Sequence, residues 1–193
     1  MFHKFIYLLL ITILSFGCSS KDVPINKPAK AERSLELYKE ATELLDNGNY
    51  YYASKKFSEA ETILPKIEFA AKAALMSSYC LYIINFYDEA IENLERFIKV
   101  YPADKNIAYA NYLLAISLYE QILDEKKDIV PLLNSKEIIK IFIKKYPDTE
   151  YTLDLKFKLD LINNQLAAKE LYISNFYIQT QKWIPAINRL KVI

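Results

Sequence analysis

The chain has 193 residues, 52% hydrophobic and 25% charged with a net charge of +1, which favours one globular domain and argues against a disordered chain, a polytopic membrane protein or a nucleic-acid partner. Its only glycines, Gly17 and Gly48, are too few for a dinucleotide-binding fold, a P-loop or a turn-rich β-sandwich. The single histidine, His3, lies in the first few residues, so we expect no catalytic residue, no metal site and no cofactor.

Residues 1–17 are predicted to form an export signal peptide. Lys4 gives a basic start, residues 5–16 form an apolar run, and a Gly-Cys-Ser-Ser sequence follows. The run is shorter than the ~20 apolar residues that a membrane span needs. A small residue followed by cysteine at this place resembles the bacterial lipobox, which implies cleavage before Cys18 and lipidation of Cys18. An ordinary secretory signal with a free Cys18 is the alternative.

Residues 18–31 contain two prolines and few large apolar groups, so we expect an extended tether between the membrane and the domain. Ser19 directly after the cysteine favours sorting to the outer membrane in the lipoproteins that this segment resembles. Cys80 is the only other cysteine, so no disulfide is expected within the chain. We predict that Cys80 is buried and free on the packed side of its helix.

From residue 32 onward the apolar residues recur at intervals of three and four, which predicts amphipathic helices and an all-α domain over residues 32–193. A pattern then repeats along the chain: an aromatic residue, a small residue, a large apolar residue and a proline that ends the second helix. It holds Tyr50, Ala53, Phe57 and Pro65 in the first copy, and Tyr87, Ala90, Leu94 and Pro102 in the second. These positions resemble the tetratricopeptide repeat. We therefore predict a solenoid of antiparallel helix pairs, with units at 34–65, 71–102, 108–147 and 149–193.

Two units depart from this pattern. In the third unit Ala115 and Ser135 are unusually far apart, which indicates an insertion between its two helices. We expect a solvated loop over residues 124–133, followed by a helix with Asn134 as its N-cap and Glu137 as the capping-box partner. The fourth unit lacks a closing proline within the sequence, so we expect it to be incomplete. By its register in this unit, Trp183 should lie in the core.

The repeat register predicts which residues line the concave face of the solenoid. Most of the inward positions are tyrosines: Tyr38, Tyr79, Tyr82, Tyr109, Tyr112 and Tyr119, with Thr42, Leu75 and Ile116 between them. Solenoids of this kind bind peptides or domains, and tyrosine offers a large contact area and a hydroxyl group at low rotamer cost. We expect an aromatic groove for an extended peptide. The alternative is that these tyrosines only fill space between helices.

Three stretches resemble the BamD family of outer membrane protein assembly factors, in its alphaproteobacterial branch. They are NIAYANYLLAISLYEQI at 106–122, KKYPDTEYTLDLKFKLDLINNQLAAKELYISNFY at 144–177 and QKWIPAINRL at 181–190. The resemblance implies a lipid-anchored periplasmic component of the β-barrel assembly (BAM) complex. Such a component binds BamA and other members of the complex, and helps to receive unfolded outer membrane proteins.

The resemblance also implies a partner-binding end. Arg189 stands where the family has a basic residue that faces BamA, and Phe176, Gln179 and Lys182 lie at the same end of the chain. The guanidinium of Arg189 could pair with a carboxylate across an interface. The alternative for Arg189 is a solvated charge or a partner of the helix dipole.

Two other classes of function are considered. One is a different periplasmic tetratricopeptide-repeat lipoprotein, a scaffold that coordinates cell-wall growth or division. The other is an enzyme, for which carboxylates would be the only candidates: Glu40, Glu43, Glu59 and Glu61. Their spacing is typical of a solvated helix face, and no histidine, cysteine or glycine-rich loop accompanies them.

Overall fold

The computed structural model describes residues 30–121 and 129–193. Cys18, the signal peptide and nearly all of the predicted tether lie outside these residues. The described chain forms eight helices and no strands: α1 Lys30–Asp46, α2 Tyr50–Ile63, α3 Ile67–Ile83, α4 Tyr87–Val100, α5 Ile107–Glu120, α6 Val130–Lys145, α7 Glu150–Gln179 and α8 Trp183–Leu190. None of these helices is both long enough and apolar enough to cross a membrane.

The helices pack as a solenoid. Each helix contacts the next one along the chain, and the first helices of successive pairs also contact one another, α3 with α5 and α5 with α7. This arrangement places α3, α5 and α7 along one side. The prediction of an all-α solenoid of tetratricopeptide type is confirmed.

Small residues mark where the two helices of each pair cross. They are Ala41 with Ala53, Ser78 with Ala90, Ala115 with Ser135, and Ser174 with Ala186, all of them buried. Two helices that approach to about 8–10 Å leave room for little more than a methyl or hydroxymethyl group at the crossing. The hydroxyl of Ser174 lies 3.5 Å from the backbone oxygen of Ala186, so this contact joins α7 directly to α8.

Three of the turns within pairs use a left-handed residue at the same place. These are Gly48 (φ 74°), Asn85 (φ 62°) and Gln181 (φ 56°). Glycine and asparagine adopt this conformation more readily than other residues, which explains the first two positions. Gln181 is the least suited of the three, since a long side chain rarely adopts positive φ.

In the third helix pair, the structure differs from the loop that the sequence predicted over residues 124–133. Helix α6 begins at Val130 rather than after residue 133, and Ile129 is its N-cap, so the predicted cap at Asn134 with Glu137 is wrong. Pro131 lies in the first turn of α6, where a proline needs no hydrogen-bonded N–H group. Leu132 is 1% exposed and packs into the core, which explains why the helix starts early. The rest of the expected loop, residues 122–128, lies outside the described residues.

Two further residues bear on the sequence analysis. Cys80 is buried and free, as predicted, and burial raises the pKa of its thiol to about 11.

Glu61 does not lie on a solvated face, because its side chain is only 8% exposed. Its carboxylate accepts hydrogen bonds from Arg96 at 2.6 and 2.7 Å and from the Tyr101 hydroxyl at 2.8 Å. Glu61 therefore ties α2 to α4 and the turn that follows it.

Candidate functional site

Five of the six tyrosines predicted to line the groove lie along α3 and α5. We call this surface the tyrosine face: Tyr79 and Tyr82 on α3, with Tyr109, Tyr112 and Tyr119 on α5. All five rings are half-buried and pack against the larger of the two core clusters. Each ring therefore has one side on the protein and keeps part of its surface open to solvent.

The sixth tyrosine, Tyr38, lies apart from this surface. It packs against the smaller core cluster, where its ring contacts Phe57 with centroids 5.3 Å apart. The ammonium group of Lys72, on α3, lies 5.9 Å from the centre of the Tyr38 ring. The structure therefore does not bring Tyr38 together with the other predicted groove residues.

Helix α7 extends the tyrosine face with residues that the sequence analysis missed. Tyr151 stacks on Tyr112, with centroids 4.7 Å apart and planes 22° apart, and lies 5.7 Å from Tyr109. The Tyr112 hydroxyl donates to the carboxylate of Asp154 at 3.1 Å. The inward register of the first three units does not reach Tyr151 or Asp154, so the repeat pattern carried no signal for either residue.

A lysine from α7 closes one end of this surface. The Nζ of Lys158 lies 4.5 Å from the centre of the Tyr119 ring and 3.5 Å from a carboxylate oxygen of Glu120. The ring and the carboxylate both attract the ammonium group. Lys158 thus joins α7 to the last turn of α5.

The electrostatic environment of the tyrosine face raises the pKa of three of its phenols, Tyr82, Tyr109 and Tyr112. Burial, followed by the neighbouring phenols Tyr79, Tyr151 and Tyr82, raises the pKa of Tyr109 to about 12. Burial also raises the pKa of Tyr82, and the charges of Glu120 and Asp154 add to this increase. At neutral pH these side chains are therefore hydroxyl donors beside fixed negative charge.

These contacts bear on the two interpretations of the tyrosines. Their half-buried rings do fill space between helices, since each packs on the core. The same rings lie on three successive first helices, α3, α5 and α7, and pack against one core cluster. Binding of a peptide to this surface stays a prediction.

The predicted partner-binding residues lie around the turn between α7 and α8. Phe176 is 56% exposed, and its ring lies 5.8 Å from that of Tyr177. Gln179 and Lys182 are also exposed. The prediction that Trp183 lies in the core is wrong, since 59% of it is exposed. Trp183 opens α8, which packs mainly on α7 among the described helices, and this packing leaves the indole exposed.

Arg189 has a specific partner in the structure. Its guanidinium lies 3.2 and 3.3 Å from the two carboxylate oxygens of Glu170 on α7. The Glu170 side chain is 18% exposed and that of Arg189 is 44% exposed. Arg189 is therefore neither a free solvated charge nor only a dipole partner. Nothing in the sequence pattern singled out Glu170.

The stacked helix pairs and the aromatic surface along their first helices define a tetratricopeptide-type solenoid, a class of protein that recognises other polypeptides. Within this class, residues 30–193 match the family model described as YfiO, outer membrane lipoprotein. Because the match covers most of the chain, the protein belongs to this family.

Individual relatives agree with this assignment. Over 188 residues the chain is 35% identical to a Caulobacter vibrioides protein named outer membrane protein assembly factor BamD. It is 36% identical over 186 residues to a Rickettsia prowazekii protein of the same name. Each alignment covers 96% of this chain, but only 61% of the Caulobacter protein and 73% of the Rickettsia protein. A Neisseria gonorrhoeae relative of the same name is 26% identical over 188 residues, which cover 92% of this chain and 69% of that protein.

Proposed function

We propose that this protein is an assembly factor for outer membrane β-barrel proteins. In this proposal it is a scaffold of the BAM complex that binds BamA and other members and helps to receive unfolded outer membrane proteins. The names of relatives at 35 and 36% identity support this role. The observation that carries it is the tyrosine face, where the rings of Tyr109 and Tyr112 on α5 contact that of Tyr151 on α7, and where the neighbouring helix α3 adds two further tyrosines. The protein performs no chemical step in this role.

The client is an extended segment of an unfolded barrel protein, bound along the tyrosine face. Such a client needs shallow apolar contacts that accept many sequences, and half-buried rings provide them. Phenol hydroxyls of this surface that have no partner within the chain can donate to backbone carbonyls of an extended segment. Contacts of this kind do not require a folded client.

BamA binds at the other end, on the surface formed by Phe176, Gln179, Lys182 and Arg189. A folded partner needs directional contacts, which a guanidinium group provides. The ion pair with Glu170 holds Arg189 in one orientation and leaves much of its side chain open to a second carboxylate. The exposed ring of Phe176 adds an apolar contact beside it.

The scaffold is held at the outer membrane by lipid on Cys18. Acyl chains contribute about 0.8 kcal/mol per buried methylene, so more than one chain gives a stable anchor. In the variant Cys18→Ala the precursor should stay uncleaved and unlipidated, as measured by intact mass after membrane extraction. Normal maturation of that variant would contradict the anchor.

Paired variants test the two surfaces. Tyr82→Ala combined with Tyr112→Ala should weaken the binding of peptides from a barrel protein's last strand by about 1–3 kcal/mol, because desolvated aromatic contacts are lost. Capture of BamA should not change. Arg189→Glu should reduce BamA capture and leave peptide binding intact. Tyr52→Ala is the matched control, since Tyr52 is exposed on α2 and lies outside both surfaces.

The outcomes separate the assignments. Equal losses in both assays from either variant would mean that the two surfaces are misplaced. If neither assay shows a loss, the tyrosines only fill space between helices and do not bind the client. If affinity purification from membranes yields cell-wall or division proteins instead of BamA, the chain is a scaffold of a different kind.

A further inference from the structure

The tyrosine face contains one cation site that the chain itself fills. Lys158 lies over the ring of Tyr119, and its ammonium group is 3.5 Å from Glu120. An aromatic ring beside a carboxylate binds a lysine or arginine side chain better than either group does alone. This contact shows which chemistry the surface can recognise.

A second site of the same composition lies next to it. Asp154, one turn before Lys158 on α7, is half-buried beside Tyr112, whose hydroxyl donates to it. Its charge also reaches Tyr82 on α3. Over residues 32–121 and 129–193, no lysine or arginine lies within ion-pair distance of Asp154. The second site thus has its rings and its carboxylate, but the described chain supplies no cation.

The surrounding charges strengthen the preference for a cation. Glu120, the last residue of α5, adds to the negative potential at Tyr82. Asp88, at the start of α4, is within hydrogen-bond distance of Gln121. Among the described residues, the ammonium group of Lys158 contacts Tyr119 and is paired with Glu120.

We infer that Asp154, together with the rings of Tyr82 and Tyr112, binds a lysine or arginine side chain of the extended client segment. This inference rests on the proposed function, since it concerns the same surface. The basic side chain lies beside the two phenol rings and pairs with the carboxylate oxygen that does not accept from Tyr112. Apolar residues of the segment on either side contact the remaining tyrosines. The surface therefore selects segments in which a basic residue is flanked by apolar or aromatic residues.

Lys158 could compete for the same carboxylate, because residues four apart on a helix lie on one face. In the structure its ammonium group is directed to Tyr119 and Glu120 instead. Removing this lysine should therefore not abolish the preference for a basic peptide.

The test compares two short synthetic peptides that differ at one position. Both have alternating apolar residues, and one has arginine where the other has citrulline, a neutral isostere. Titration against the full chain in detergent should show about tenfold tighter binding of the arginine peptide. In Asp154→Asn this difference should fall to about twofold or less. Asparagine still accepts from Tyr112, so the fold should be kept, which a thermal melt checks.

Asp160→Asn is the matched control, because Asp160 is an exposed residue of the same helix. It should keep the full preference for arginine. Equal binding of the two peptides by the wild type would overturn the inference and leave the proposed function standing. A loss of preference in Asp160→Asn equal to that in Asp154→Asn would also overturn it, since a general charge effect would then suffice. If neither peptide binds, the proposed function itself fails.

Discussion

The contact between Glu61 and Arg96 should stabilise the first two helix pairs. Glu61 on α2 is nearly buried and accepts three hydrogen bonds, two from Arg96 on α4 and one from Tyr101. In a solenoid, stability is approximately a sum of unit and interface contributions. This contact is part of the interface between the first and second pairs, so weakening it should destabilise the described domain.

The variant Glu61→Gln removes the charge and one acceptor but keeps the shape. Hydrogen bonds to charged groups contribute about 1.5–3 kcal/mol. The Arg96 side chain is 42% exposed, and solvent screening of such a group reduces its contribution. We therefore expect a loss of about 1–1.5 kcal/mol, which corresponds to a melting temperature lower by roughly 2–6 °C for a domain of this size.

The assay is urea unfolding followed by circular dichroism. Glu59→Gln is the control, because Glu59 lies on the same helix, is more exposed and is 4.0 Å from Lys56; it should change stability by less than about 0.5 kcal/mol. A double-mutant cycle with Arg96→Met should give a coupling energy of about 1 kcal/mol. Coupling near zero, or equal effects of Glu61→Gln and Glu59→Gln, would refute the assignment.

Three further predictions follow from burial and protonation. Native Cys80 should react with a thiol reagent far more slowly than in the unfolded chain, because it is buried and its pKa is raised to about 11; rapid labelling would contradict this. Stability to urea should fall as the pH rises from about 10 to 12, since the raised pKa of Tyr101 and of Tyr109, each about 12, means that the folded state holds protons that the unfolded state has released. A flat profile would count against the burial of these phenols. Hydrogen exchange should show the least protection from about Lys182 onward within 30–193, and strong protection there would mean that α8 docks more firmly than its contacts suggest.

The repeat pattern predicted most of the fold because the same packing problem recurs in each unit. Each crossing of two helices needs a small residue, so Ala53 and Ala90 are found at matching positions of their repeats. Each turn within a pair needs a residue that tolerates positive φ, so Gly48 and Asn85 also align. Constraints of this kind leave a signal in a single sequence.

The errors arose where a residue's neighbours decide its environment. Leu132 is buried although it follows a charged segment, and the pattern could not show that α6 starts early enough to bury it. Trp183 has the register of a core residue, but burial also requires a second helix on its outer side. Glu61 has the spacing of a surface residue, and only the approach of α4 encloses it. Periodicity describes one helix at a time and does not report these contacts.

Helix α7 determines how the two proposed surfaces relate to each other. It carries Asp154 near its start and Phe176 near its end, about 33 Å apart along an axis that rises 1.5 Å per residue. Buried Leu155 and Ile162 anchor its first half in the core, and Ser174 anchors its second half against α8. A client on the tyrosine face and BamA at the far end would therefore not overlap, and both could bind at once. Because α7 carries residues of both surfaces, a displacement of α7 is a direct way for one site to influence the other, and we expect client affinity to be unchanged by an Arg189 variant that leaves α7 in place.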